Sequence, residues 1–118
     1  MAIPSGSGSE VLKRHFVHAL SNSETDLIAG VANHIYTVLS ISFTEQSGSG
    51  SHSLNLAIDA NNAGTDIYLL SSQAITSEQT FIWSDKLILT GTDRLHARTA
   101  SSGNVDVWIT YIDQDWST

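Results

Sequence analysis

The sequence predicts an all-β fold: an antiparallel β-sandwich, with the eight-stranded jelly roll as its favoured form and a flexible arm at the N-terminus. Three observations carry this. Long segments alternate apolar and polar residues with period two, as half-buried strands do. β-Branched and aromatic residues dominate those segments. Clusters of Asn, Gly, Ser and Asp separate them at short, fairly even intervals, which leaves no room for the crossover helices of a parallel sheet. The length of 118 residues fits one domain, and a hydrophobic content of 41% suffices for a packed core.

Residues 1–10, MAIPSGSGSE, are small, rich in Gly and Ser, and interrupted by Pro4, so they read as the arm; residues 11–118 form the sandwich domain. Val11 to Leu20 is a first strand with weak alternation. Ser21 to Ala32 admits a helical turn, because Ser23 followed by Asp26 resembles a capping box with Asp in place of Glu or Gln. In Asn33 to Thr44, Ile35, Leu39, Ile41 and Phe43 share one face, with Thr37 interrupting. His34, Tyr36, Val38, Ser40 and Ser42 share the other. Glu45 to Ser51 is a loop. In His52 to Asp59, Leu54, Leu56 and Ile58 alternate with polar or small residues. Asp66 to Leu70, Thr80 to Trp83, Lys86 to Thr90 and Arg94 to Thr99 are shorter strands. Turns fall at Asn61-Asn62-Ala63-Gly64, Gly91-Thr92-Asp93 and Ser101-Ser102-Gly103-Asn104, all residues that accept positive φ or cap their own backbone. The last strand alternates from Val105 to Ile112. The expected core is Ile35, Leu39, Ile41, Phe43, Leu54, Leu56, Ile58, Val107 and Ile109.

Composition narrows the function. Five Lys+Arg against twelve Asp+Glu, a net charge of −7, leave no basic footprint for nucleic acid. With no cysteine there is no disulfide, thiolate metal site or thiol nucleophile. No apolar run approaches the roughly 18 residues of a spanning helix, and no cleavable export signal opens the chain, so synthesis in a cytoplasm and no membrane partner are expected. Charged residues make up only 14%, and Ser and Thr supply much of the polarity. A hydroxyl-rich surface poor in charge suits packing against a partner, because few charges need desolvating.

No chemistry assembles from the motifs. His15 and His18, three apart on a strand, point to opposite faces, and His34, His52 and His96 lie on separate strands, so neither a metal nor a cofactor is expected. Asp59, Asp66, Asp85, Asp93, Asp113 and Asp115 sit mostly at strand ends, where Asp bonds to nearby backbone. Asp59 with Asn61 and Asn62, or Asp113 with Asp115, are the candidate calcium ligands, but neither run matches an EF-hand loop. Nucleophile-elbow, P-loop and dinucleotide motifs are missing, and no catalytic residue is expected. Trp83 alternates with Phe81 and belongs inside. Trp108 is out of phase with Val107 and Ile109. Together with Tyr36, Val38 and Ile112 it gives an outward set that suggests a buried contact between copies.

The segments MAIPSGSGSEVLKR, NHIYTVLSI, DIYLLSSQ, TFIWSDKLILTGTDRL and NVDVWITYIDQDW resemble small virion proteins of tailed bacteriophages. There a Gly/Ser-rich start leads into a β-sandwich, and an aromatic strand, a Leu-rich strand and a Gly/Asp turn precede a final V-D-V-x-x-x-Y-I strand. The matching residues here are Phe81 and Trp83, Leu87 to Leu89, Gly91 to Asp93, and Val105 to Ile112. Thr92 separates Gly91 from Asp93 where such proteins often have the two adjacent. The resemblance implies a structural component of the virion, a capsid decoration (cement) protein. The flexible, uncharged arm is expected to contact the major capsid protein through Ile3 and Pro4, and since jelly-roll virion proteins commonly form trimers, the outward Tyr36, Val38, Trp108 and Ile112 are expected to bury their apolar surface in a homotrimer. The competing reading is a tail-associated glycan-binding module that uses Trp108, Tyr36 or Trp116 as a stacking platform.

Overall fold

The computed structural model describes residues 9–48, 50–101 and 103–116. Among these residues nine strands follow in order: β1 (Ser9–Val17), β2 (Thr25–Ala29), β3 (His34–Glu45), β4 (Ser51–Asp59), β5 (Asp66–Thr76), β6 (Thr80–Trp83), β7 (Leu87–Thr90), β8 (Arg94–Thr99) and β9 (Val105–Asp115), with one 3₁₀ turn at Ala60–Asn62. Every pairing is antiparallel. One sheet runs β1-β9-β3, with β6 and β7 both on the far side of β3; the other runs β2-β8-β4-β5. Because β6 pairs with Ile41–Thr44 and β7 with Ile35–Val38, the two are halves of one strand broken at Ser84-Asp85-Lys86. Counted so, the chain has the eight strand positions and the two interleaved four-strand sheets of a jelly roll.

The core lies between the sheets. Phe43, Ile41, Leu54, Leu56, Ile75, Leu89, Leu95, Val105, Val107 and Ile109 are fully buried there, with Phe81 and Trp83 packed on its margin. The expected turns use the backbone that their residues permit: Asn61, Asn62 and Gly64 take φ of 60°, 52° and 87°. Glu45 closes one end. Its buried carboxylate accepts hydrogen bonds from Ser47 Oγ and from the backbone N–H of Gly48 (3.0 Å) and Glu78 (3.2 Å), and it pairs with His52 Nε2 at 2.8 Å. The Ser47 hydroxyl and the two backbone N–H groups outweigh burial and hold this carboxyl below the ordinary value of 4.5.

Four expectations are corrected. Leu39 is 44% exposed, whereas Tyr36 and Val38, expected outside, are 4% and 3% exposed in the core. The cause is a β-bulge: the β3–β9 register runs from Val38↔Tyr111 directly to Ser40↔Thr110, so Leu39 is the extra residue. Inward positions are therefore even before it (Tyr36, Val38) and odd after it (Ile41, Phe43, Glu45). Ile35 is buried, but outside the main core, in a hollow with Thr90, Gly91 and Trp116. Ser21–Ala32 carries β2 instead of a helical turn; a bulge at Leu27 turns Leu27 and Ile28 both inward and erases the alternation. Finally, Ser9 and Glu10 belong to β1 and not to the arm, and Ile3 and Pro4 lie outside the described residues.

Candidate functional site: the outer face of the five-stranded sheet

The outer faces of the two sheets differ in chemistry. On the β2-β8-β4-β5 sheet the polar groups pair with one another. Arg94 Nη2 lies 2.7 Å from Asp26 Oδ1, Arg94 Nη1 lies 3.5 Å from Asp59 Oδ2, and His96 Nε2 lies 2.9 Å from Asp66 Oδ1. The His96 hydrogen bond leads in lowering the Asp66 carboxyl, and the Asp26 hydrogen bond leads in raising Arg94. Among the described residues, Glu24, Asp66 and His96 each bring one ligand atom within 4.8 Å of the others, close enough to share a metal ion.

The outer face of the β1-β9-β3-β6/β7 sheet is apolar. Pleating sends the even positions of β1 and β9 outward, so Leu12 lies opposite Ile112 and Phe16 opposite Trp108. Across β3, Ile88 lies opposite Thr37 and Ile82 opposite Ser42. Leu12, Ile82 and Ile88 are each 60% exposed or more, and Phe16, Leu39 and Trp108 about half exposed. Thr37, Ser40, Ser42, Thr44, Thr80, Thr90 and Thr110 fill the spaces between them. Monomeric soluble proteins seldom gather so many large apolar side chains on one exposed sheet face.

At one end of this face Phe16 and Trp108 stack, with ring centroids 5.8 Å apart and planes inclined by 13°. The Arg14 guanidinium sits 5.4 Å and 5.2 Å from the two centroids, a cation–π arrangement worth about 0.5–1 kcal/mol where exposed. Phe16 and Trp108 line a hollow of about 450 Å³ with His18, Ser42, Thr44 and Asp106. Asp106 is fixed there by the Ala19 N–H at 2.8 Å and by His18 Nδ1 at 2.9 Å.

A second hollow opens between the sheets beside β2. Asp113 takes Lys13 Nζ at 2.8 Å and His34 Nδ1 at 2.7 Å, and the Tyr36 hydroxyl accepts the Val31 N–H at 3.0 Å. Burial works against ionising Asp113, but the Lys13 and His34 hydrogen bonds prevail and hold it below 3.8; the Asp113 hydrogen bond likewise raises Lys13, and burial raises Tyr36. These groups satisfy one another.

Of the four side chains assigned to a contact between copies, Trp108 and Ile112 lie on the apolar face, while Tyr36 and Val38 are enclosed by the core and offer a partner nothing. The alternation pointed to Trp108 and Ile112. Leu12 and Phe16 were missed because β1 alternates weakly, Leu39 because of its bulge, and Ile82 and Ile88 because their strands are only four residues long.

These features define a jelly-roll β-sandwich with one polar and one apolar sheet face. No protein-family profile matches the sequence, and no curated protein is similar to it. The fold is shared with known structures at low identity. A subunit of the Bacillus endospore appendages, a novel family of disulfide-linked pili, matches with TM-score 0.57 and 10% identity, over 99% of this chain and 97% of that one. A protein of the T13 particle of the virus IBDV matches with TM-score 0.54 and 9% identity, over 91% of this chain but only 30% of that one. The chain thus spans less than a third of that viral protein's length.

Proposed function

We propose that this chain is a non-enzymatic structural protein of a tailed-phage virion, which decorates the head and stabilises contacts between major capsid subunits. The observation that carries the reading is the apolar face built from Leu12, Phe16, Leu39, Ile82, Ile88, Trp108 and Ile112. Burying such a face releases about 25 cal/mol per Å² of apolar area, and the Arg14 guanidinium on it is already laid over two rings. A hydroxyl-studded sheet face with large apolar side chains fits a broad protein surface. Two proteins of the same fold support the reading in kind, since one builds a pilus and the other a viral particle. This chain has no cysteine, so any assembly it makes forms without disulfides. The arm, with Ile3 and Pro4, adds a second contact to the capsid. Many modest contacts then act together by avidity.

The test is co-sedimentation with capsids assembled without the protein. Wild-type protein should pellet with them and raise their heat resistance. The Ile82→Asp/Ile88→Asp variant should fold normally and stay in the supernatant, and deletion of residues 1–8, which leaves β1 intact, should weaken binding. Equal pelleting of wild type and the Asp variant would reject the face; no binding by wild type would reject decoration.

A second reading, a glycan-binding module on a tail, is favoured by one place alone. The Phe16–Trp108 stack stands beside Asp106, His18, Ser42 and Thr44, an aromatic platform with polar groups at its edge. Trp108→Ala would then abolish binding to host-surface glycans, whereas Ile82→Asp/Ile88→Asp would leave it unchanged.

A further inference from the structure

Strand β1 is built unlike the other sheet edges. A free edge exposes a row of backbone N–H and C=O groups, and proteins blunt such edges with bulges, short strands, charged side chains or cover. Here β2 is five residues long with a bulge at Leu27. β5 carries two register shifts and a left-handed Ser72 (φ 53°). β6 and β7 have four residues each. By contrast, β1 pairs with β9 over nine consecutive residues without a shift, and all of its residues but the last are exposed. Both of its faces are partly exposed: Leu12 and Phe16 on one, and on the other Val11 (47% exposed) with Lys13 and His15, which line the hollow beside β2. A long, regular edge with neither bulge nor cover, whose charges are of both signs, can be paired by a strand that sets those charges against their opposites.

We propose that the partner is β1 of a second copy, joined antiparallel about a twofold axis perpendicular to the sheet. Such an axis keeps outward residues opposite outward residues, so one residue must face its own copy. Charge selects which. Axes at Lys13 or Arg14 set like charges against each other, which is destabilising in a cross-strand pair. An axis at Leu12 sets Leu12 against Leu12 and joins Glu10 of each copy to Arg14 of the other, two ion pairs from five residues, Glu10 to Arg14. Glu10 already accepts Gln114 Nε2 at 2.9 Å through Oε1, leaving its second oxygen for the arginine. The paired sheets form one continuous sheet with a doubled apolar outer face. This contact replaces the threefold association expected from the resemblance, and it does not depend on what the outer face docks against.

The experiment is sedimentation velocity on the purified full chain with single and exchanged charges. Wild type should dimerise. Glu10→Arg and Arg14→Glu should each weaken the dimer about tenfold, because two exposed ion pairs are lost and two like-charge pairs created. The double exchange, Glu10→Arg/Arg14→Glu, should restore it. Since the chain has no cysteine, Leu12→Cys supplies an independent reading. It should form a disulfide-linked dimer on mild oxidation, whereas Phe16→Cys, whose copies would stand roughly 26 Å apart along the pair, should not. A monomer at the highest soluble concentration, a trimer, association indifferent to both charge variants, or cross-linking of Phe16→Cys as fast as Leu12→Cys would each overturn the proposal.

Discussion

The bulge at Leu39 makes a sharp prediction about which leucine matters. Strict alternation would put Leu39 and Leu56 alike in the core, but the structure leaves Leu39 44% exposed and Leu56 fully buried between the sheets. Truncating a fully buried leucine removes its transfer free energy and leaves a cavity, together about 2–5 kcal/mol. Truncating a half-exposed one without a cavity should cost well under ~1 kcal/mol. For a domain of this size each kcal/mol moves the midpoint by about 4 °C, so Leu56→Ala should melt roughly 8–20 °C below wild type and Leu39→Ala within about 4 °C of it. Thermal unfolding followed by circular dichroism, at protein concentrations low enough to keep contacts between copies out of the measurement, gives both values. Leu39→Ala melting as low as Leu56→Ala would mean that β3 runs without its bulge, and the inward placement of Tyr36 and Val38 would fall with it.

Other outcomes follow from the same geometry. Tyr36→Phe removes the acceptor of the Val31 N–H and should lower stability by about 0.5–1.5 kcal/mol in urea unfolding; no change would mean that this bond is not made in solution. Gly30→Ala should be strongly destabilising, since a Cβ there would lie 2.1 Å from the Gly91 carbonyl oxygen and 2.4 Å from that of Asp93, and a midpoint equal to wild type would show that β2 does not approach this turn. The carboxyls of Glu45 and Asp113 are held below their ordinary 4.5 and 3.8, so the stability they confer is complete above those values and is lost as pH falls through their lower folded values. Urea midpoints should accordingly be flat near neutrality and decline below about pH 4.5, and Glu45→Gln should be less stable at pH 7 with a shallower acid decline; an unchanged acid limb would remove Glu45 as a cause.

Much of the fold was legible because β4, β9 and the C-terminal half of β3 alternate cleanly and the turns carry Asn and Gly where left-handed backbone is required. The misplaced faces of β3 and β2 share one physical cause. A bulge is a single extra residue with no composition signal, and it inverts the faces of everything on one side of it, as at Leu39, or merges two inward residues, as at Leu27 and Ile28. The expected strand count of eight arose by compensation: β2 was passed over, and the broken β6/β7 strand was counted twice. For the docking face, period two exposed Trp108 and Ile112. The rest of the face is a property of the sheet as a whole, because Leu12, Ile82 and Ile88 come together only when β1, β6 and β7 are laid beside β9 and β3.

The most direct test of the docking face is a density map of the intact particle at a resolution that places the strands. Decoration through this face predicts many copies on the outside of the head, each with Ile82, Ile88 and Trp108 against capsid subunits and the Arg94–Asp26 side of the other sheet toward solvent. The same sandwich seated with its apolar sheet in solvent, or found in a few copies at the tail, would contradict it.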